Sequence, residues 1–215
     1  MARGATNTQT AGLKYMSFMS GRFVQRVDEN TTGATPRELE KGPNAGKIVH
    51  ELHFDTYEGQ IIDLKTEDTE YGQKLNIYMD VSTEEEPDSK VKISLSLSSG
   101  PAKGFLSRLP VIDFAKDVCL KGYSIENKET GRFNSYLVPY QGGVKLLSQF
   151  TKEAPNGLPQ MEQKKVKGKM VWDDSDQLEF YEALIAKTFA GSIPTPAANV
   201  DVMETPPAAE EKEAF

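Results

Sequence analysis

The chain has little of what disulfide scaffolds and metal centres need: among 215 residues there are one cysteine, one tryptophan and two histidines. The lone Cys119 cannot form an intramolecular disulfide, which suits a reducing compartment. His50 and His53 stand three apart in a stretch that reads as a strand, so they fall on opposite faces and cannot share a metal. No metal and no cofactor is expected. No apolar run approaches the length that spans a bilayer, and the N-terminal MARGATNTQTAG lacks the hydrophobic segment of a signal peptide. A soluble cytoplasmic protein is expected, without a membrane partner.

Catalytic motifs are missing too. The stretch GPNAGK at residues 42–47 has three residues between its glycines, Ile48 after its lysine and a strand next. A phosphate-binding loop needs four residues, a hydroxyl residue and a helix. No nearby histidine or acid in sequence supports Cys119 as a nucleophile, and Asn30-Thr31-Thr32, a glycosylation triplet, means little in an intracellular chain. The protein is expected not to be an enzyme.

The net charge of −7 is unevenly spread. Residues 191–215 hold five acids against Lys212, and residues 173–190 hold five against Lys187, four net negative charges in each segment. The first 172 residues therefore carry about +1. A basic surface is compatible with that body even though the whole chain is acidic.

Residues 90–99 alternate Val91, Ile93, Leu95 and Leu97 with lysines and serines, the period-2 pattern of a half-buried strand. A short helix is expected at residues 101–109, where Pro101 suits a first turn and Pro110 a stop. Strands follow at 118–125 and 132–140, joined by ENKETG. Upstream, LKYMSFMSGRFVQRV at 13–27 reads as a strand pair or bent strand with Gly21 at the bend. Residues 28–46 read as a long loop. A hairpin is expected from 47–57 into 60–65 around Glu58-Gly59, with Ile48, His50, Leu52 and Phe54 on one face. A strand at 74–81 puts Leu75, Ile77, Met79 and Val81 inward and Lys74, Asn76, Tyr78 and Asp80 outward, and the loop after it is acidic. Residues 144–150 suit strand or helical turn, and 151–170 are polar and basic in their second half. A helix is expected at 175–190 from the spacing of Leu178, Tyr181, Leu184, Ile185 and Thr188. The domain reading is a disordered lead-in at 1–12, one folded domain at 13–190, and a disordered Pro/Ala-rich acidic tail at 191–215.

Strand, small helix, strand, turn, strand is the back half of a five-stranded Greek-key barrel of the oligonucleotide/oligosaccharide-binding (OB) type. The expected fold is mainly β: an OB-fold with extra N-terminal strands, a short helix between its third and fourth strands, a C-terminal helix and an acidic tail. Rings and cations recur on the outward positions. Tyr78 lies near Lys74, Lys90 and Lys92 belong to the next strand, Tyr123 stands near Lys121, and Arg132, Phe133, Tyr136 and Tyr140 crowd the last strand. Binding single strands without sequence preference needs flat rings for bases and cations for phosphates, each stacked base contributing about 1 to 3 kcal/mol. The chain then ends EEKEAF, a terminal aromatic whose ring and α-carboxylate make a compact ligand for a basic-rimmed pocket.

In this layout, from about residue 47 to 140 together with the EEKEAF terminus, the chain resembles the single-stranded DNA-binding proteins of bacteriophages. The resemblance implies a protein that coats and protects single-stranded DNA in replication, recombination or repair, located in the host cytoplasm if phage-encoded. It implies stacking by Tyr78, Tyr123, Phe133, Tyr136 and Tyr140, and phosphate contacts from Lys74, Lys90, Lys92, Lys121 and Arg132. It also implies recruitment of replication and recombination proteins through Glu210, Glu211, Glu213 and Phe215, and a helix at 175–190 that caps the barrel or mediates self-association. The alternative is an all-β viral structural or assembly protein that ignores nucleic acid.

Overall fold

A computed structural model describes residues 12–189 except 41, 43 and 167. Its first two strands, β1 (Leu13–Met19) and β2 (Arg22–Val27), form a hairpin turned by Ser20 and Gly21, whose φ values of 49° and 78° are those of a tight primed turn. Then come β3 (Thr35–Glu38), β4 (Ile48–Phe54), the long β5 (Thr56–Thr69), β6 (Gly72–Asp80) and β7 (Lys90–Ser96). Helix α1 (Gly100–Leu106) and a 3-10 turn (Leu109–Val111) lead to β8 (Val118–Glu126), β9 (Phe133–Gln141) and the short β10 (Val144–Lys145). A separate hairpin, β11 (Glu162–Val166) and β12 (Lys169–Asp173), precedes helix α2 (Ser175–Phe189).

Among the described residues the fold is mainly β, with one ten-stranded mixed sheet in the order β10-β9-β8-β5-β6-β7-β1-β2-β4-β3. Every pairing in it is antiparallel except β1 with β7. Strand β5 spans two halves of the sheet: residues 56–59 pair with β8, and residues 60–69 pair with β6 after a register shift between Ile61 and Asp63. Such an irregularity bends a strand while keeping its inward residues inward. The sheet curls until the β1–β2 turn lands on β8, where Gly21 and Gly122 meet with no room for side chains. A Cβ at Gly122 would stand 2.2 Å from the Gly21 carbonyl oxygen, and one at Gly21 2.3 Å from the Tyr123 carbonyl carbon.

The inside of the curl is the core. Leu75, Ile77 and Met79 of β6 face Leu95, Ile93 and Val91 of β7 in register, and all six are buried. Burying each such side chain contributes about 1.5 to 3 kcal/mol. Helix α1, whose N-cap Ser99 accepts from the Ala102 N–H, adds Ala102, Phe105 and Leu106. Helix α2 adds Tyr181 and Ile185 and is tied on by Gln73–Glu182 and Lys103–Asp174 contacts.

Several expectations change. Residues 28–46 are not one loop: β3 forms within them and pairs with β4, with Arg37 reaching Glu51. The hairpin around Glu58-Gly59 does not form, because β4 pairs with β2 and β3 and β5 runs straight through Gly59. Gly59 is there for contact rather than turning; a Cβ on it would stand 2.2 Å from the Asp80 carbonyl oxygen. On β4 it is Glu51, 1% exposed, that is buried, while Ile48 is exposed at 64%. The ion pairs around Glu51 override the apolar alternation. Asn76 points outward as expected yet is buried, held between Glu67 and Ser94. Pro110 does not end α1, which closes at Ser107, but sits inside the 3-10 turn. Residues 151–170 contain β11 and the start of β12. Helix α2 starts at the expected residue and ends at Phe189. The expected lead-in at 1–12 and the tail lie outside the described residues, except Gly12.

Candidate nucleic-acid interface

Two clusters of rings and cations stand on the outward side of the main sheet. The first crosses β5, β6, β7 and β1. In register, Tyr78 faces Lys92 and Asp63, and Tyr15 faces Lys92 across the parallel pair. The Lys92 ammonium lies 5.9 Å from the centre of the Tyr78 ring and 6.0 Å from that of Tyr15, and Lys65 lies 5.5 Å from Tyr78. These are cation–π distances. Acids share this surface: Glu67 stands 3.5 Å from Lys92 and Asp63 2.8 Å from Lys65. The Asn76 amide, then the Lys92 charge, hold the Glu67 carboxyl below the usual range. Lys74 opposes Glu67 in register, and Lys90 opposes Asp80.

The second cluster stands on β8 and β9. Val118 and Leu120 point into the core, so Cys119, Lys121 and Tyr123 point out, with Tyr140, Val138 and Tyr136 opposite them in turn. Tyr123 and Tyr140 lean toward each other along the strands until their hydroxyls are 2.7 Å apart. Val138 lies between them in register and is buried although it points outward. Lys121 stands 4.6 Å over the Tyr140 ring and makes no ion pair among the described residues. Burial, then the Tyr140 hydroxyl, push the Tyr123 phenol up to about 12, so it stays neutral at physiological pH. The result is a floor of two joined rings with a free cation above it and the exposed Tyr136 beside it.

The ten residues read from sequence therefore divide. Tyr78 and Lys92 come together, with Lys74 and Lys90 on the same two strands. Lys121, Tyr123, Tyr136 and Tyr140 form the second cluster. Phe133, 66% exposed, and Arg132 stand at the far end of the β8–β9 hairpin, where Phe133 faces Glu126. Glu210, Glu211, Glu213 and Phe215 lie outside the described residues. Tyr15, Lys65 and Glu67 were missed. Tyr15 joins the cluster through the parallel β1–β7 pairing, which brings together residues far apart in sequence and leaves no local signal.

Burial pushes the Cys119 thiol up, which does not favour a reactive thiolate. No group of three or more metal-ligating side chains is gathered among the described residues, and no helix among them is long and apolar enough to cross a membrane. No family model matches the chain, and neither does any curated protein or solved structure.

Proposed function

We propose that this protein binds single-stranded DNA without sequence specificity, through the outward side of an OB-like barrel, and draws partner proteins to the strand through its acidic C-terminus. The observation that carries the reading is the Lys121, Tyr123, Tyr136 and Tyr140 cluster, where an exposed ring, two half-buried rings and a lysine with no ion pair among the described residues share one two-stranded floor. Such a surface suits bases that stack and phosphates that follow a cation. The Tyr15, Tyr78, Lys65 and Lys92 cluster supports it, since β5 links the two groups of strands. The barrel reading is supported by the order β5-β6-β7-α1-β8-β9, three strands, a helix and two strands. On this reading β1 supplies the parallel neighbour that closes the edge of β7. The acidic EEKEAF segment supports partner recruitment, since its acids and the aromatic Phe215 suit a basic-rimmed pocket on another protein.

The test is fluorescence anisotropy of a labelled oligo-dT titrated with the protein from low to high salt. Affinity is expected to fall steeply as salt rises, since each neutralised phosphate releases counterions. No binding at low salt would sink the reading and favour the all-β assembly protein. A chain ending at residue 190 is expected to bind the oligonucleotide more tightly and to lose its protein partners.

A further inference from the structure

Among the described residues the β11–β12 hairpin pairs with nothing in the main sheet, and its surface is unusual. In its register Gln163 faces Trp172 and Lys165 faces Met170, so these four side chains share one face of the ribbon. Trp172 is 59% exposed, and Met161, Met170 and Val171 are exposed with it. Two-stranded ribbons are marginal in water, and a ring left outside the core does nothing to hold this one together.

The base of the hairpin is nevertheless fixed. The Asp173 carboxylate pairs with Lys164 across the ribbon and accepts from the Ser175 hydroxyl at 2.6 Å, contacts that hold it well below the usual carboxylate range. One residue on, Asp174 takes Lys103 from α1, and Gln177 donates to the Pro159 carbonyl at 2.8 Å. The ring is thus presented from an anchored stem. Lys165 stands diagonally across the ribbon from Trp172, a spacing of about 7 Å. It makes no ion pair among the described residues. Residues 162–173 carry four lysines against two acids, so the ribbon's charge suits a polyanion.

We infer that this hairpin is a second contact for single-stranded nucleic acid, with Trp172 stacking on a base and Lys165 meeting a neighbouring phosphate. The inference rests on the reading proposed above and lengthens its footprint beyond the two tyrosine clusters. A stacked base covers the exposed ring, and the lysine beside it answers the adjacent backbone charge.

Trp172 is the only tryptophan in the chain, so its emission reports this site alone. The full-length protein is titrated with labelled oligo-dT while anisotropy and tryptophan emission are read together. Emission is expected to be quenched in step with the rise in anisotropy. Trp172→Ala is expected to weaken binding about tenfold, Trp172→Phe much less, and Lys165→Gln to lower the salt slope by about one. All three variants are expected to melt with wild type, since the ribbon stands outside the core. A rise in anisotropy with unchanged emission and wild-type affinity for Trp172→Ala would overturn the hairpin inference alone. No rise in anisotropy would overturn the underlying reading and this inference with it. Quenching by poly-glutamate but not by oligo-dT would also overturn it, assigning the ribbon to an acidic protein partner.

Discussion

Tyr123 and Tyr140 sit four residues out of direct register, yet their hydroxyls meet at 2.7 Å over the outward face of β8 and β9. The bond is made by two side chains lying along the strands rather than standing off them, and it turns two separate rings into one floor. If the rings matter for stacking and the hydroxyls for alignment, the two contributions separate by mutation. Tyr123→Phe is expected to leave oligo-dT affinity within about threefold, since the loss of one partly exposed hydrogen bond costs about 0.5 kcal/mol. Tyr123→Ala is expected to weaken binding about tenfold, the lower part of the range for one stacked base. Anisotropy titrations of the two variants against wild type check it, and equal losses would deny the ring its role.

Lys92 touches two tyrosine rings and one acid, and the acid competes with any phosphate for it. Glu67→Gln keeps an acceptor for the Asn76 amide while removing the charge that faces Lys92. Binding of oligo-dT at low salt is expected to tighten several-fold, with a salt slope steeper by about one. Lys92→Gln is expected to do the reverse. Salt-dependent titrations of both variants decide it, and a Glu67→Gln protein that binds as wild type would remove Lys92 from the interface.

Where the β1–β2 turn crosses β8, two glycines replace what would otherwise be a clash. A methyl group at Gly122 would face the Gly21 carbonyl oxygen at 2.2 Å and the Phe18 ring at 2.9 Å. Backbone cannot yield there as a flexible side chain can. Gly122→Ala is expected to cost about 3 kcal/mol, roughly 5 to 10 °C in thermal midpoint. Gly131→Ala meets nothing within 4 Å and bears only its positive φ of 66°, so about 1 kcal/mol is expected. Thermal melts of the two variants side by side test whether the closure depends on this contact.

What was legible in the sequence follows the range of the interactions involved. Strands β6 and β7 were readable because their alternation is local and their inward residues are all apolar, and α2 because its apolar positions recur at three and four. Helix α1 was readable from Pro101 and its apolar cluster. The hairpin at Glu58-Gly59 was misread because a glycine placed for contact with Asp80, a distant residue, looks the same in sequence as one placed for a turn. The burial of Glu51 was not legible because nothing local announces Arg37, fourteen residues upstream, as its partner. The candidate site divides in the same way. The β8–β9 cluster lies in two adjacent strands and was visible as a group, whereas Tyr15 reaches Lys92 only through a parallel pairing between β1 and β7.

Glu51 is buried with Arg37 bidentate on it at 2.8 and 2.9 Å, and with His53 and Arg26 at 3.8 and 4.0 Å. The Arg37 hydrogen bonds, opposed by burial and aided by the charges of Arg37, His53 and Arg26, lower its pKa. A carboxyl held low in the fold contributes stability above the ordinary glutamate pKa of about 4.3, and that contribution is lost as pH falls through the depressed native value. Glu51→Gln is expected to cost about 2 to 3 kcal/mol at pH 7. It is also expected to flatten the acid limb of the stability profile. Urea unfolding of both proteins from pH 7 down to 3 checks both the size and the pH window.

Tyr181 supplies the opposite limb. It is 3% exposed on the inward face of α2, and burial alone pushes its phenol up to about 12 from an ordinary value near 10. For a group raised in the fold, the contribution is complete below the unfolded value and is lost as pH rises toward the folded one. Stability is therefore expected to hold to about pH 10 and then fall by about 2 to 3 kcal/mol on this residue's account by pH 12. Tyr57, pushed to about 12 mainly by burial against Phe23 of β2 and Phe54 of β4, falls in the same window. Tyr181→Phe keeps the ring in the core and removes the titrating proton. Its unfolding free energy is expected to match wild type near neutral pH and to exceed it by pH 11. Parallel falls in the two proteins would show that the phenol reaches solvent without opening α2.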